Sequence, residues 1–198
     1  MQQELIARIV KIFPMSEEEI RVFSDRITVK QFDKGDILIR EGDPIDRAFF
    51  VLEGIVRQFT LHDGKEKSVF FYVENQMIRL TGKENTAPQS SYYLECLEDS
   101  QICVAHSRAD DQEFIQKYPR FESLCRILTE DIFKQSQDAL EDYIHCNPLD
   151  RYQMLLEKRP DLVQRVSQQH LASFLGYTPE SLSRIKKRIF TKRKPAES

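Results

Sequence analysis

The chain has 198 residues, of which 40% are hydrophobic and 31% charged, with only 6 Gly and 8 Pro. This composition excludes disordered and fibrous classes and suits one large or two small folded domains. The net charge of -3 hides an asymmetry: Pro148 to Ser198 carries 11 Lys+Arg against 5 Asp+Glu, leaving 18 against 27 for Met1 to Asn147. A basic rear half points to a polyanionic partner, nucleic acid foremost, with a merely solvated tail as the competing reading. No apolar stretch approaches the roughly 20 residues of a bilayer span. The first ten residues include Glu4 and lack a small-residue cleavage site, so a cytoplasmic protein without membrane contact is expected. Cys96, Cys103, Cys125 and Cys146 form no C-x-x-C pair, which suits reduced structural thiols better than a disulfide frame or a zinc site.

Taken in chain order, Leu5, Ile6, Ile9, Val10 and Phe13 recur at helical spacing. Pro14-Met15-Ser16 then breaks the run, and Glu17-Glu18-Glu19 opens a second short helix with acids in its first turn. From Ile27 to Ser107 the pattern changes to short β-like runs: Ile27 to Phe32, Asp36 to Arg40, Ala48 to Leu52, Ile55 to Leu61, Lys67 to Val73, Ser91 to Leu97 and Ile102 to Ala105. Gly35, Gly42, Gly54, Gly64 and Gly82 punctuate this stretch, and His62-Asp63-Gly64-Lys65 is the clearest hairpin. An antiparallel roll or barrel is the consistent reading.

After Arg108 the chain turns helical. Phe121, Leu124, Cys125, Leu128, Ile132, Ala139, Tyr143 and Ile144 keep three-and-four spacing over one long helix bounded by Pro119 and Pro148. It either packs on the roll or pairs with its own copy; the length favours pairing, with Phe121, Leu124, Leu128, Ile132, Ala139 and Tyr143 as the dimer face. Leu149, Tyr152, Leu155 and Leu156 mark a further short helix over Pro148 to Lys158.

Val166 to Ile189 is the most informative segment. Ser167 caps one helix, with Val166 and Leu171 placed as a hydrophobic staple. Thr178-Pro179 opens the next, with Tyr177 and Leu182 in the same relation. Gly176 supplies the left-handed residue between them and Ala172 the small contact. Leu171, Leu175, Leu182 and Ile185 then face inward, leaving Glu180, Ser181, Arg184, Lys187 and Arg188 on the outer face of the second helix. Arg can donate two bonds to guanine and Glu can accept from cytosine, so the pair one turn apart has a chemical reason to read base edges. Lys186, Lys187, Arg188, Lys192, Arg193 and Lys194 suit phosphates, which hold register without specifying sequence. An ordinary helical hairpin with a charged face is the bland alternative.

Gln168-Gln169-His170-Leu171-Ala172 together with Pro179-Glu180-Ser181-Leu182-Ser183-Arg184 resembles the winged helix-turn-helix of the CRP-FNR family of bacterial transcription regulators. It is most similar to the versions common in Bacteroidetes-like bacteria. Phe32-Asp33-Lys34-Gly35-Asp36-Ile37-Leu38, Glu41-Gly42-Asp43 and Phe49-Phe50-Val51-Leu52-Glu53-Gly54 resemble the first half of that family's cyclic-nucleotide-binding roll. The resemblance implies an α+β chain: an N-terminal antiparallel β-roll (double-stranded β-helix) with flanking helices over 1–110, a long dimerisation helix over 111–146, and a C-terminal winged helix-turn-helix over 147–198. It implies a homodimer on a pseudo-palindromic duplex, with RNA polymerase as a further partner and no enzyme activity or cofactor. Gln168, Gln169, Thr178, Glu180, Ser181, Ser183, Arg184, Lys187 and Arg188 form the expected DNA-contacting set. Pro179 stands where some members carry a further arginine, so their operator does not transfer.

The roll departs from the family where chemistry matters. Members that bind cyclic AMP use a Gly-Glu pair for the ribose and, further on, an Arg followed by Ser or Thr for the phosphate. An ungapped count back from Leu97-Glu98-Asp99-Ser100 puts Ser90 in the Arg slot and Leu80 in the Glu slot. A buried phosphate without a cation is costly, so cyclic AMP is not expected through the usual contacts; another effector or none is. A nucleotide-responsive alternative would re-register the loop and use Arg79, Thr81, Lys83, Glu84, Ser90 and Ser91. An iron-sulfur centre is disfavoured because all cysteines lie at or beyond Cys96, while haem stays open. A metal-dependent cupin-like enzyme is the remaining alternative, yet His62, His106, His145 and His170 are dispersed and form no ligand motif. A sensor acting through protein contacts alone is a third reading.

Overall fold

The first two helices, α1 (Gln2–Ile12) and α2 (Glu17–Ser24), stand where apolar spacing and a start signal place them. Ser16 closes a capping box on α2: its hydroxyl accepts from the Glu19 N–H at 3.2 Å and the Glu19 carboxylate accepts from the Ser16 N–H at 2.8 Å. Two orphan donors at the helix start are thereby satisfied. The structure is a computed structural model that describes residues 2–80, 89–106, 111–145 and 148–193.

Eight strands follow: β1 (Ile27–Phe32), β2 (Ile37–Ile39), β3 (Arg47–Glu53), β4 (Val56–His62), β5 (Lys65–Tyr72), β6 (Met77–Ile78), β7 (Tyr93–Cys96) and β8 (Ser100–His106). They form two four-stranded sheets, ordered β1-β8-β3-β6 and β2-β7-β4-β5. Pairing of β8 with β1 and β3 is antiparallel, with Ile27 opposite Ala105 and Phe49 opposite Val104. Asp63 and Gly64 both have positive φ, 51° and 73°, the signature of the tight turn that joins β4 to β5. At the β3–β4 turn Gly54 has φ +105°, and a Cβ there would lie 2.1 Å from the Ser100 hydroxyl oxygen, so both backbone and space demand glycine.

The remaining helices are α3 (Asp111–Lys117), α4 (Arg120–His145), α5 (Pro148–Lys158), α6 (Pro160–Arg165), α7 (Gln168–Leu175) and α8 (Pro179–Arg193). Two compact units result. One comprises Met1–Gln58 and Tyr72–Gln135; the other comprises Phe59–Phe71 and Ser136–Ser198. The first unit is the roll with its helices. Its cluster of Leu5, Ile9, Phe13, Ile27, Leu52, Cys103, Phe121 and Leu124 joins α1, β1, β3, β8 and α4 in one core. The second unit contains α5 to α8 and the tip of the β4–β5 hairpin. No strand occurs among the described residues 148–193, so the wing that the family resemblance implies is not found there.

Candidate nucleic-acid interface

The helix pair α7–α8 is built by local signals. The Ser167 hydroxyl accepts from the His170 N–H at 3.2 Å and caps α7. Gly176, at φ 78° and ψ 28°, ends that helix in the left-handed conformation, and the Tyr177 N–H reaches back to the Ala172 carbonyl at 2.8 Å. The Thr178 hydroxyl oxygen then accepts from the Ser181 N–H at 3.2 Å and opens α8 behind Pro179. Leu171, Ala172 and Leu182 are 0% exposed, and Leu175 and Ile189 are also buried, so the inner faces are sealed. The hydrophobic layout foreseen from spacing is what holds the pair; only Ile185 is less deeply placed, half-buried.

With the inner faces sealed, Glu180, Arg184, Lys187 and Arg188 are exposed on α8, and Ser181 and Ser183 are half-buried beside them. Hydrogen bonding to its own backbone N–H, helped by the Thr178 hydroxyl and the Arg184 charge, holds the Glu180 carboxyl below its ordinary range. It therefore presents a carboxylate, an acceptor only, at neutral pH. Gln169 and Thr178 are exposed as well. Gln168 is exposed but already used: its amide donates to the Pro179 carbonyl at 2.9 Å and ties the start of α7 to that of α8. Lys186 lies with its ammonium 5.6 Å from the Tyr152 ring centroid, a cation–π placement that attaches it to α5. The side chains of Lys192 and Arg193, and the whole of Lys194, lie outside the described residues.

Residues 29–118 match the cyclic nucleotide-binding domain family. The transcriptional activator protein anr of Pseudomonas aeruginosa is 29% identical over 111 residues, covering 54% of this chain and 43% of that protein. This chain thus spans somewhat under half the length of the curated relatives it matches first. Among solved structures, FixK2 from Bradyrhizobium japonicum superposes with a TM-score of 0.69 at 18% identity, over 87% of this chain and 89% of that one. The c-di-GMP responsive global regulator CLP of Xanthomonas campestris gives a TM-score of 0.69 at 18% identity, over 87% and 91%. The chain is thus similar to cyclic nucleotide-binding domains over residues 29–118 and shares the fold of FixK2 and CLP. These relatives carry no information on the narrower likeness to Bacteroidetes-type members.

Two further sets of expected residues can be placed on the chain. In the long helix α4, Phe121 and Leu124 are 4% and 3% exposed and belong to the core of the roll unit, where Phe121 stacks on Phe23 at 5.9 Å. Both side chains are packed within the chain's own core. The side chains of Leu128, Ile132, Ala139 and Tyr143 lie outside the described ones. Among the described side chains of α4, Ile127, Phe133 and Leu140 are exposed large apolar ones, the last two 63% and 58% exposed and two turns apart. Sequence spacing missed them because they fall off the stripe that the core residues define.

In the roll, Thr81, Lys83 and Glu84 lie outside the described residues and Arg79 is exposed. Leu80, which the ungapped count sets against the family's ribose-binding Glu, is buried. Ser90, which the same count sets against the phosphate-binding Arg, is 3% exposed and spends its hydroxyl locally, donating to the Tyr92 carbonyl at 2.7 Å and accepting from the Tyr92 N–H at 3.1 Å. Ser91 is half-buried. Two buried polar groups of the roll pair internally: the Tyr72 phenol donates to Gln58 at 2.9 Å, and Arg57, 1% exposed, donates to Glu95 through Nε at 2.9 Å and Nη2 at 2.6 Å. Burial pushes the Tyr72 phenol up to about 12 and the Cys103 thiol up to about 12, so both stay protonated. No group of three or more potential metal ligands occurs among the described residues, and no helix among them is long and apolar enough to cross a membrane.

Proposed function

We propose that the chain is a homodimeric, sequence-specific DNA-binding transcription regulator, not an enzyme, working in the cytoplasm. The observation that carries this reading is the outward display of Glu180 and Arg184 on a helix whose opposite side is locked by Leu171, Ala172, Leu175 and Leu182. Arg184 supplies paired donors for guanine O6 and N7, and Glu180 an acceptor for cytosine N4. Gln169, Thr178, Ser181, Ser183, Lys187 and Arg188 surround them and position the duplex, while Gln168 steadies the helix pair. Two copies paired through α4 would set their α8 helices about 34 Å apart, on successive major grooves of a pseudo-palindrome. The exposed Phe133 and Leu140 support that pairing.

The roll, on this reading, does not hold cyclic AMP through the family's usual contacts, because Leu80 and Ser90 carry neither charge and Ser90 is already hydrogen-bonded. It senses another effector or none, and contact with RNA polymerase would convey the outcome. Selection of bound duplexes from a random pool tests the proposal. A recovered pseudo-palindrome bound by dimers supports it; binding with no sequence preference, at all salt concentrations, overturns it. Calorimetric titration with cyclic AMP tests the pocket, with no saturable heat expected.

A further inference from the structure

The backbone N–H groups that open α8 are all accounted for, and that decides which part of a duplex its first turn suits. A helix ordinarily starts with N–H groups that lack partners inside the helix and can grip a phosphate. In α8 each is absent or already used. Pro179 has no N–H. The Glu180 N–H donates to its own carboxylate, the Ser181 N–H to the Thr178 hydroxyl at 3.2 Å, and the Leu182 N–H to the Thr178 carbonyl at 3.0 Å. The Glu180 charge adds repulsion toward a phosphate. The backbone of this turn therefore has nothing to offer the backbone of a duplex, and its side chains are left with the base edges. A recognition helix of a helix-turn-helix enters the major groove with its N-terminal residues toward those edges.

One side chain of that turn carries no polar atom. Pro179 is exposed and lies four residues before Ser183, so the two form a column on the helix beside that of Glu180 and Arg184. Its ring fixes φ, and its carbonyl accepts from the Gln168 amide at 2.9 Å, which ties the start of α8 to α7. A proline side chain also has no rotamer freedom to lose on contact. In the major groove a rigid apolar surface has one natural counterpart, the C5-methyl group of thymine, because the other groups displayed there are hydrogen-bond donors and acceptors. We propose that Pro179 is a specificity-determining residue whose ring packs on a thymine methyl beside the base pairs read by Glu180 and Arg184, so that each half-site carries a T·A pair at that place. The inference rests on the DNA-binding reading above and adds a third reader of different chemistry, a methyl contact in place of hydrogen bonds. It follows that 5-methylcytosine, which carries the same methyl group, is preferred to cytosine at that position.

Selection of duplexes from a random pool, followed by titration of the selected site with single-base replacements, tests this. Deoxyuridine in place of thymidine removes the methyl group and keeps every hydrogen-bonding group. At one thymine in each half-site, adjacent to the base pairs whose preference Arg184→Ala relaxes, that replacement weakens binding by the wild type about fourfold. 5-Methylcytosine there binds better than cytosine by a similar factor. Pro179→Ser brings both ratios close to one and leaves the preference at the Arg184 base pair unchanged. Equal affinity for thymine and uracil at every such position overturns the proposal, as does a methyl preference that persists in Pro179→Ser. The uracil comparison uses the wild-type protein alone, so it decides even if the variant folds poorly. A selected pseudo-palindrome without any methyl preference removes the role of Pro179 only; failure to select any duplex removes the DNA-binding reading, and this proposal with it.

Discussion

Arg184 and Glu180 differ from the other charged residues of α8 in what their loss would do. Removing a bidentate base contact costs about 1 to 3 kcal/mol and relaxes specificity at one base pair, whereas removing a phosphate contact weakens all duplexes alike and lowers the salt slope by about one. Arg184→Ala is therefore expected to behave in the first way and Arg188→Ala in the second, measured by titration against the selected site and its single-base variants over a salt series. Equal, sequence-independent losses from both would place Arg184 on the backbone. At the other end of the chain Glu19 gives a pH prediction. The Ser16 N–H, the Ser16 hydroxyl and Arg120, whose Nη1 lies 2.8 Å away, together hold its carboxyl below the ordinary range, although burial opposes them. A depressed carboxyl contributes stability above its unfolded-state value and loses it as pH falls through the folded one. Thermal melts should thus show the roll weakening on acidification below the usual glutamate range, and Glu19→Gln should flatten that part of the profile.

Among elements, the turns make the sharpest contrast. Gly176 and Gly54 both have positive φ, but a Cβ on Gly176 would meet open space while one on Gly54 would strike Ser100. Gly176→Ala carries only the left-handed penalty of about 1 to 2 kcal/mol. Gly54→Ala adds a clash with a buried neighbour and should lower the melting temperature by distinctly more; equal shifts would mean that the Ser100 side relaxes freely. The same elements show what the sequence could disclose. The β1 run from Ile27 to Phe32 and the capped start of α7 at Ser167 were legible because alternation and capping are local. The two-residue β6 and the short α6 were not: Met77–Ile78 is too short to show a period, and Pro160 reads equally as a stop to α5 or a start to α6. The contact of α7 with β5 was invisible for another reason. Ser173 and Phe174 touch residues about a hundred positions earlier, and no local pattern encodes such a meeting.

For the whole molecule, the proposed pairing turns on which face of α4 would meet a second copy. Helical spacing alone gave one apolar stripe, and it merged two roles: Phe121 and Leu124 close the roll's core, while Phe133 and Leu140 stand exposed further along. A substitution in each group separates the roles. Phe121→Ala opens a cavity in a packed core and should cost about 3 to 5 kcal/mol of fold stability. Leu140→Lys, or Phe133→Lys, removes no buried contact within the chain, so the melting profile of the isolated protomer should hardly change, but a charge in an apolar seam without a partner is strongly disfavoured. If the proposed pairing holds, sedimentation should find dimers for the wild type and monomers for these variants. DNA binding should follow, because a dimer's second half-site is engaged at high effective concentration, and a monomer loses that advantage, commonly about a hundredfold or more. Its salt dependence should also fall toward half, since half the phosphates are contacted. If the lysine variants remained dimeric and kept full affinity, pairing through this face of α4 would be excluded and the spacing of the two α8 helices would have to be set elsewhere.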